Sequence, residues 1–175
     1  MTDCAACGWR SDDGAAVCDE CKFFVNSKPV LVHEDWLFIG DIAGPQPGHL
    51  RTHQITHVVS LFPFVYWRAP DVEFLSLDLL DTPYARIDDA LRMAITFIDG
   101  ARARNGRVLV HCYAGISRSS TMVIGYLMEK QGMSFDEALA HVRRAWPRAS
   151  PNTGFANQLE QIQRSNPPIK TKSQD

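Results

Sequence analysis

The chain has 175 residues, 45% hydrophobic and 22% charged, with a formal net charge of −2. That length suits one domain of ordinary size plus a small appendage. The near-neutral balance excludes a global basic field that would recruit nucleic acid or an acidic membrane surface, and no apolar run reaches the roughly 20 residues that span a bilayer.

The N-terminus, Met1-Thr2-Asp3-Cys4, lacks a basic region followed by an apolar one. No secretory signal is therefore expected, and a reducing, cytoplasmic setting follows. Four of the five cysteines come early, as Cys4-Ala-Ala-Cys7 and Cys18-Asp-Glu-Cys21. Two CxxC pairs in a short polar segment have the spacing of a closed, tetrahedral Cys₄ zinc site. Such a segment has almost no core, so the metal would supply its folding energy. Disulfides are disfavoured without a secretory signal. The knuckle's partner cannot be read from these residues.

After a linker ending at Lys28, Pro29 to His33 and Trp36 to Gly40 read as short strands around a turn at Glu34-Asp35. A Gly- and Pro-rich loop and a short helix, His49 to His53, follow. Ile55 to Leu61 is the next strand. Phe62 to Trp67 is an aromatic loop that serves either core packing or the wall of a cleft. Val72 to Leu77 alternates as a strand. Ile87, Leu91, Ala94, Ile95 and Ile98 recur at helical spacing, so a helix is expected from Ile87 to Arg104.

The stretch Arg107-Val108-Leu109-Val110-His111-Cys112-Tyr113-Ala114-Gly115-Ile116-Ser117-Arg118-Ser119-Ser120-Thr121 passes from an apolar run into a helix that stops near Gly132. A strand, a small-residue loop and a helix N-terminus together suit an anion. Successive backbone N–H groups form a concavity, and the helix adds free N–H groups and its dipole. Arg118 offers a fork of donors for two phosphate oxygens. The same positive field favours a nucleophilic Cys112 thiolate, which points to in-line attack on phosphorus and a cysteinyl-phosphate intermediate. Ser134 and Glu137 then form a capping box, and the helix they open stops before Pro147. Arg143 and Arg144 read as a solvated helix face. Ser150-Pro151 reads as the cap and first residue of a last helix. Residues 166–175 are a polar tail expected to be disordered.

The string His-Cys-Tyr-Ala-Gly-Ile-Ser-Arg-Ser-Ser resembles the signature of the cysteine-dependent protein phosphatases, in particular the dual-specificity branch. Trp36 to Asp41 resembles the opening strand of that family, and Pro151-Asn152-Thr153-Gly154-Phe155 with Gln158-Leu159 its closing element. The resemblance implies an α/β fold, a twisted central sheet of about five strands flanked by helices, with the catalytic domain at residues 29–165; the knuckle and linker at 1–28, read from the CxxC spacing, are not part of that domain.

It further implies a general acid at Asp81, with Asp78 as the alternative, because the leaving oxygen needs a proton. Ser119 would assist departure of the thiolate, and His111 would orient the loop and tune the nucleophile. The amides of Tyr113, Ala114, Gly115, Ile116, Ser117 and Arg118 would hold the phosphate. Asn152 is expected to be a scaffold hydrogen-bonder. The expected substrate is a phosphoprotein carrying phosphotyrosine or phosphoserine/threonine, with zinc structural and no cofactor in the reaction. The same mechanism on a phosphoinositide, an RNA 5′-phosphate or a phosphoglucan is an alternative, as is a non-catalytic phosphoprotein-binding module. Ile116, where lipid phosphatases often carry a basic residue, argues against the first.

Overall fold

The computed structural model describes residues 2–3, 10–11, 28–63 and 69–165. Cys4, Cys7, Cys18 and Cys21, most of the aromatic loop and the tail at 166–175 lie outside the described residues. Near the N-terminus, β1 (Thr2–Asp3) pairs antiparallel with β2 (Arg10–Ser11). Among the described residues, no group of three or more His, Cys, Asp or Glu side chains could hold a metal ion.

The main sheet has five strands: β3 (Val30–His33), β4 (Leu37–Gly40), β5 (His57–Ser60), β6 (Glu73–Ser76) and β7 (Val108–His111). Their order across the sheet is β3-β4-β7-β5-β6. Only the β3–β4 pair is antiparallel; β4–β7, β5–β7 and β5–β6 are parallel. Parallel strands need both faces covered, and the side chains divide accordingly. Leu37, Ile39, Val59, Val108 and Val110 enter the larger core. Their alternating neighbours Phe38, Val58 and Leu109 join a smaller cluster with Leu50 and Ile55. This period of two is the pleat of the strand expressed as burial.

Helix α1 (Pro47–Thr52) starts two residues before the expected His49, because Pro47 has a backbone suited to the first turn. It supplies Leu50 to the smaller core. The larger core is covered by α2 (Asp88–Ala103), α3 (Arg118–Gln131), α4 (Phe135–Ala145) and α5 (Thr153–Ser165). In α3, every residue from Ser119 to Met128 is buried, as an almost wholly apolar helix requires. The capping box at Ser134 and Glu137 closes reciprocally. Arg143 donates to the Ala149 carbonyl and Arg144 contacts His141, so both serve the scaffold around α4.

One boundary differs from the sequence expectation. Helix α5 begins at Thr153, and Asn152, not Ser150, accepts from the Phe155 N–H through its side chain at 3.0 Å. Ser150 is drawn elsewhere: its N–H donates to the Ile116 carbonyl at 2.9 Å. No helix among the described residues is long and apolar enough to cross a membrane.

Candidate active site

Strand β7 lies at the centre of the sheet, where neighbouring connections run in opposite directions. Such a switch point opens a crevice beyond the C-terminal strand ends. Gly40 of β4 and Ser60 of β5 both pair with His111. Asp41, Leu61 and Cys112 therefore leave the sheet side by side. Cys112 is 1% exposed, and its Sγ lies 3.3 Å from Ser119 Oγ.

The loop from Tyr113 to Ser117 is held by its carbonyls. Tyr113 accepts from Ile42 N at 3.1 Å, and Ile116 from Ser150 N at 2.9 Å. Gly115 accepts from Trp146 Nε1 at 2.6 Å. Ser117 accepts from the Thr121 amide and hydroxyl. Among the described residues no peptide bond is cis, and in a trans peptide the N–H points opposite to the C=O. Anchoring these carbonyls outward therefore turns the N–H groups of Ala114, Ile116, Ser117 and Arg118 to the inner side. The Ser117 hydroxyl does not cap α3, so the helix's first amides stay available to an anion.

Gly115 is required twice over. Its φ is +68°, and a Cβ there would lie 2.8 Å from Trp146 Cζ2 and 3.0 Å from the Gly40 carbonyl. Trp146 is stacked in turn by Arg148, whose guanidinium lies 4.0 Å from the ring centroid. Arg148 also pairs at 2.8 Å with Asp41, which is 1% exposed. Asp41 Oδ1 accepts from Ala43 N at 3.0 Å. Trp146, Arg148 and Asp41 thus brace the loop from beneath. Sequence reasoning missed all three; a Trp just before a helix-ending Pro147 was the one available signal.

Arg118 is shared between the loop and its surroundings. Its Nη1 donates to the carbonyls of Leu61 at 3.1 Å and Leu79 at 3.3 Å. Its Nε is buried without a hydrogen-bond partner and lies 3.6 Å from Asp81 Oδ2. A buried unsatisfied donor in a concave site is suited to an incoming oxyanion. Asp81 Oδ1 accepts from Ser117 Oγ at 2.7 Å and from Asn152 Nδ2 at 2.9 Å. The fold thus brings Cys112, Ser119, Arg118 and Asp81 to one end of the sheet. Asp78 is exposed.

His111 is 3% exposed and edge-on to Phe62. Burial, helped by the Arg118 charge and opposed by the Cys112 and Asp41 backbone, lowers its pKa to about 4. It is therefore neutral at pH 7 and adds no cationic charge beside Cys112. Between its folded value and 6.5 the unfolded chain binds the extra proton, so stability is complete above pH 6.5 and falls as pH drops toward 4. The shift amounts to roughly 3 kcal/mol. Urea unfolding from pH 7 to 4 is expected to show this loss, reduced in His111→Asn. Burial also lowers His33, His53 and His57, and that part of the loss should survive in the variant.

A buried cysteine sulfur at the foot of a loop with anchored carbonyls, with an arginine and a carboxylate at the same end of the sheet, makes a candidate site for a tetrahedral oxyanion on an α/β scaffold. The model of the dual specificity phosphatase catalytic domain matches residues 37–165, and the chain belongs to that family. Dual specificity protein phosphatase 15 of Rattus norvegicus is 37% identical over 127 residues, 72% of this chain and 54% of that protein. The match thus spans little more than half the rat protein. Dual specificity protein phosphatase 1 of Arabidopsis thaliana is 34% identical over 139 residues, covering 78% of this chain and 70% of its own length. The crystal structure of DUSP15 superposes with a TM-score of 0.73 at 32% identity, covering 77% of this chain and 86% of that one.

Proposed function

We propose that this chain is a protein phosphatase that hydrolyses phosphotyrosine and phosphoserine/threonine through a cysteinyl-phosphate. The observation that carries the reading is the loop following Cys112, whose carbonyls are tied to Ile42, Trp146 and Ser150, with Arg118 Nε buried and without a hydrogen-bond partner among the described residues. Family membership supports the phosphoprotein as substrate.

In the first step the Cys112 thiolate attacks phosphorus in line, an S–P bond forms and the P–O bond to the substrate breaks. The loop amides and Arg118 stabilise charge on the three equatorial oxygens. Asp81 gives its proton to the leaving oxygen. In the second step a water attacks phosphorus, Asp81 takes that water's proton, and the S–P bond breaks. The Ser119 hydroxyl, 3.3 Å from the sulfur, steadies the departing thiolate. His111, buried and neutral, orients the strand end.

Turnover is tested on matched panels of phosphotyrosyl and phosphothreonyl peptides, phosphoinositides, 5′-phosphorylated RNA and phosphoglucan. Peptide hydrolysis is expected to dominate. Activity confined to lipid, RNA or glucan would move the substrate class, and phosphopeptide binding without turnover would make the chain a binding module.

We further propose that Cys4, Cys7, Cys18 and Cys21 hold one structural zinc, on the chemistry of two CxxC pairs. Metal analysis of the purified chain is expected to find one zinc, lost on Cys4→Ser or Cys18→Ser. A metal-free folded protein with four freely reactive thiols would refute it.

A further inference from the structure

The segment from Asp81 to Ile87 is exposed for most of its length, with Tyr84 at 93%. A surface loop of this kind is ordinarily free to move. Here one short stretch, the start of α5, grips it at four points. Asn152 Nδ2 donates to Asp81 Oδ1 at 2.9 Å. The Pro83 carbonyl rests against Gly154 so closely that a Cβ on Gly154 would lie 1.8 Å from its oxygen. Gln158 Nε2 donates to the Ala85 carbonyl at 2.9 Å, and Gln158 Oε1 accepts from Ile87 N at 3.0 Å. Gly154 and Gln158, four residues apart, share one face of the helix. Phe155, 0% exposed, roots that first turn in the core.

The orientation of Asn152 is fixed by what it holds. Its Oδ1 is committed to Phe155 N–H at 3.0 Å, so its NH₂ end must face Asp81. Its backbone N–H donates to Ser117 Oγ at 3.1 Å, whose own hydroxyl hydrogen goes to Asp81 Oδ1 at 2.7 Å. Asn152, Ser117 and Asp81 close a ring. Asp81 Oδ1 therefore has two donors, which leaves no room for a proton on that oxygen. Oδ2 is the other oxygen, 3.6 Å from Arg118 Nε.

We propose that Asn152 is a positioning residue for the reaction. With Gly154 and Gln158 it sets the acid loop before substrate arrives and makes Oδ2 the oxygen that carries the transferred proton. This rests on the reading of Asp81 as the general acid. Preset geometry of this kind decides rate, because a misplacement of about 1 Å can cost about 100-fold.

The test separates capping from positioning. Asn152→Asp and Asn152→Ser both keep an acceptor for Phe155 N–H, since Asp and Ser are good helix caps. Neither presents the amide donor to Asp81. kcat/KM is measured for phosphate esters of graded leaving-group pKa in wild type, both variants, Asp81→Ala and the doubles, with thermal melts alongside. Both Asn152 variants are expected to melt near wild type yet lose about 10- to 100-fold on poor leaving groups, far less on 2,4-dinitrophenyl phosphate. They are expected to add little in the Asp81→Ala background. Gly154→Ala, which drives a Cβ into Pro83, should steepen the same dependence. An unchanged leaving-group dependence in either folded Asn152 variant overturns the positioning role while Asp81 keeps its own. An unchanged dependence in Asp81→Ala removes the acid, and this inference with it.

Discussion

Cys112→Ser is expected to abolish phosphomonoester turnover, by at least about 10⁴-fold in kcat, because the only proposed nucleophile is gone. The variant should still bind phosphopeptide. The cradle is made of backbone amides and Arg118, and the carbonyls that aim those amides are tied to Ile42, Trp146 and Ser150, none of which contributes through Cys112. Folding should be preserved, because serine nearly matches the size of a side chain buried to 1% beside Ser119 Oγ. Calorimetry with a phosphotyrosyl peptide checks binding, and product release checks turnover. Arg118→Ala is the contrasting control: it removes the donor at Nε and the ties to Leu61 and Leu79, so binding should fall with rate. Turnover surviving in Cys112→Ser would remove the proposed mechanism altogether.

Asp81→Ala is expected to slow hydrolysis of esters with poor leaving groups by about 10²- to 10⁴-fold, the range for a positioned general acid. Phosphothreonine, whose alkoxide is the poorest leaving group among the proposed substrates, should suffer most. An activated aryl phosphate, which departs without a proton, should be slowed little in the first step. The loss also frees the Ser117 hydroxyl and the Asn152 amide, which both end on Asp81 Oδ1. Asn152 is half-buried and its amide can turn to water, and the buried Ser117 Oγ still accepts from Asn152 N–H, so the melt should change less than the rate. Asp78→Ala is the discriminating partner. Both aspartates are exposed, but Asp81 is the one tied to Ser117 and Arg118, so removal of Asp78 should leave the leaving-group dependence as in wild type. If the two variants exchange behaviours, the acid is Asp78.

The linear chain determined a good deal of this. Apolar alternation in Val108-Leu109-Val110 and Leu37-Phe38-Ile39 is a property of neighbouring residues, and the strands appear where it occurs. The helical spacing of Leu91, Ala94, Ile95 and Ile98 marks the buried face of α2. The capping box at Ser134 is likewise local. The candidate anion site was legible for the same reason: Cys112, Gly115 and Arg118 lie within one short stretch of chain, and a strand–loop–helix passage leaves the backbone few ways to run.

Only the tertiary structure decided what fixes that site. Trp146 reaches the Gly115 carbonyl across 31 positions, Arg148 reaches Asp41 across 107, and Asn152 reaches Asp81 across 71. No periodicity relates such residues; they meet because α4 and α5 pack on the same core that carries β7. The start of α5 moved to Thr153 for the same reason. By residue type Ser150 is as good a cap as Asn152, but packing brings the Asn152 side chain to Phe155 N–H. Local sequence sets which backbone shapes are available, since those energies come from adjacent dihedrals and turns. Hydrogen bonds between distant segments are set by packing, and in this protein they place the Asp81 carboxylate beside Ser117 and Arg118 of the stretch that follows Cys112.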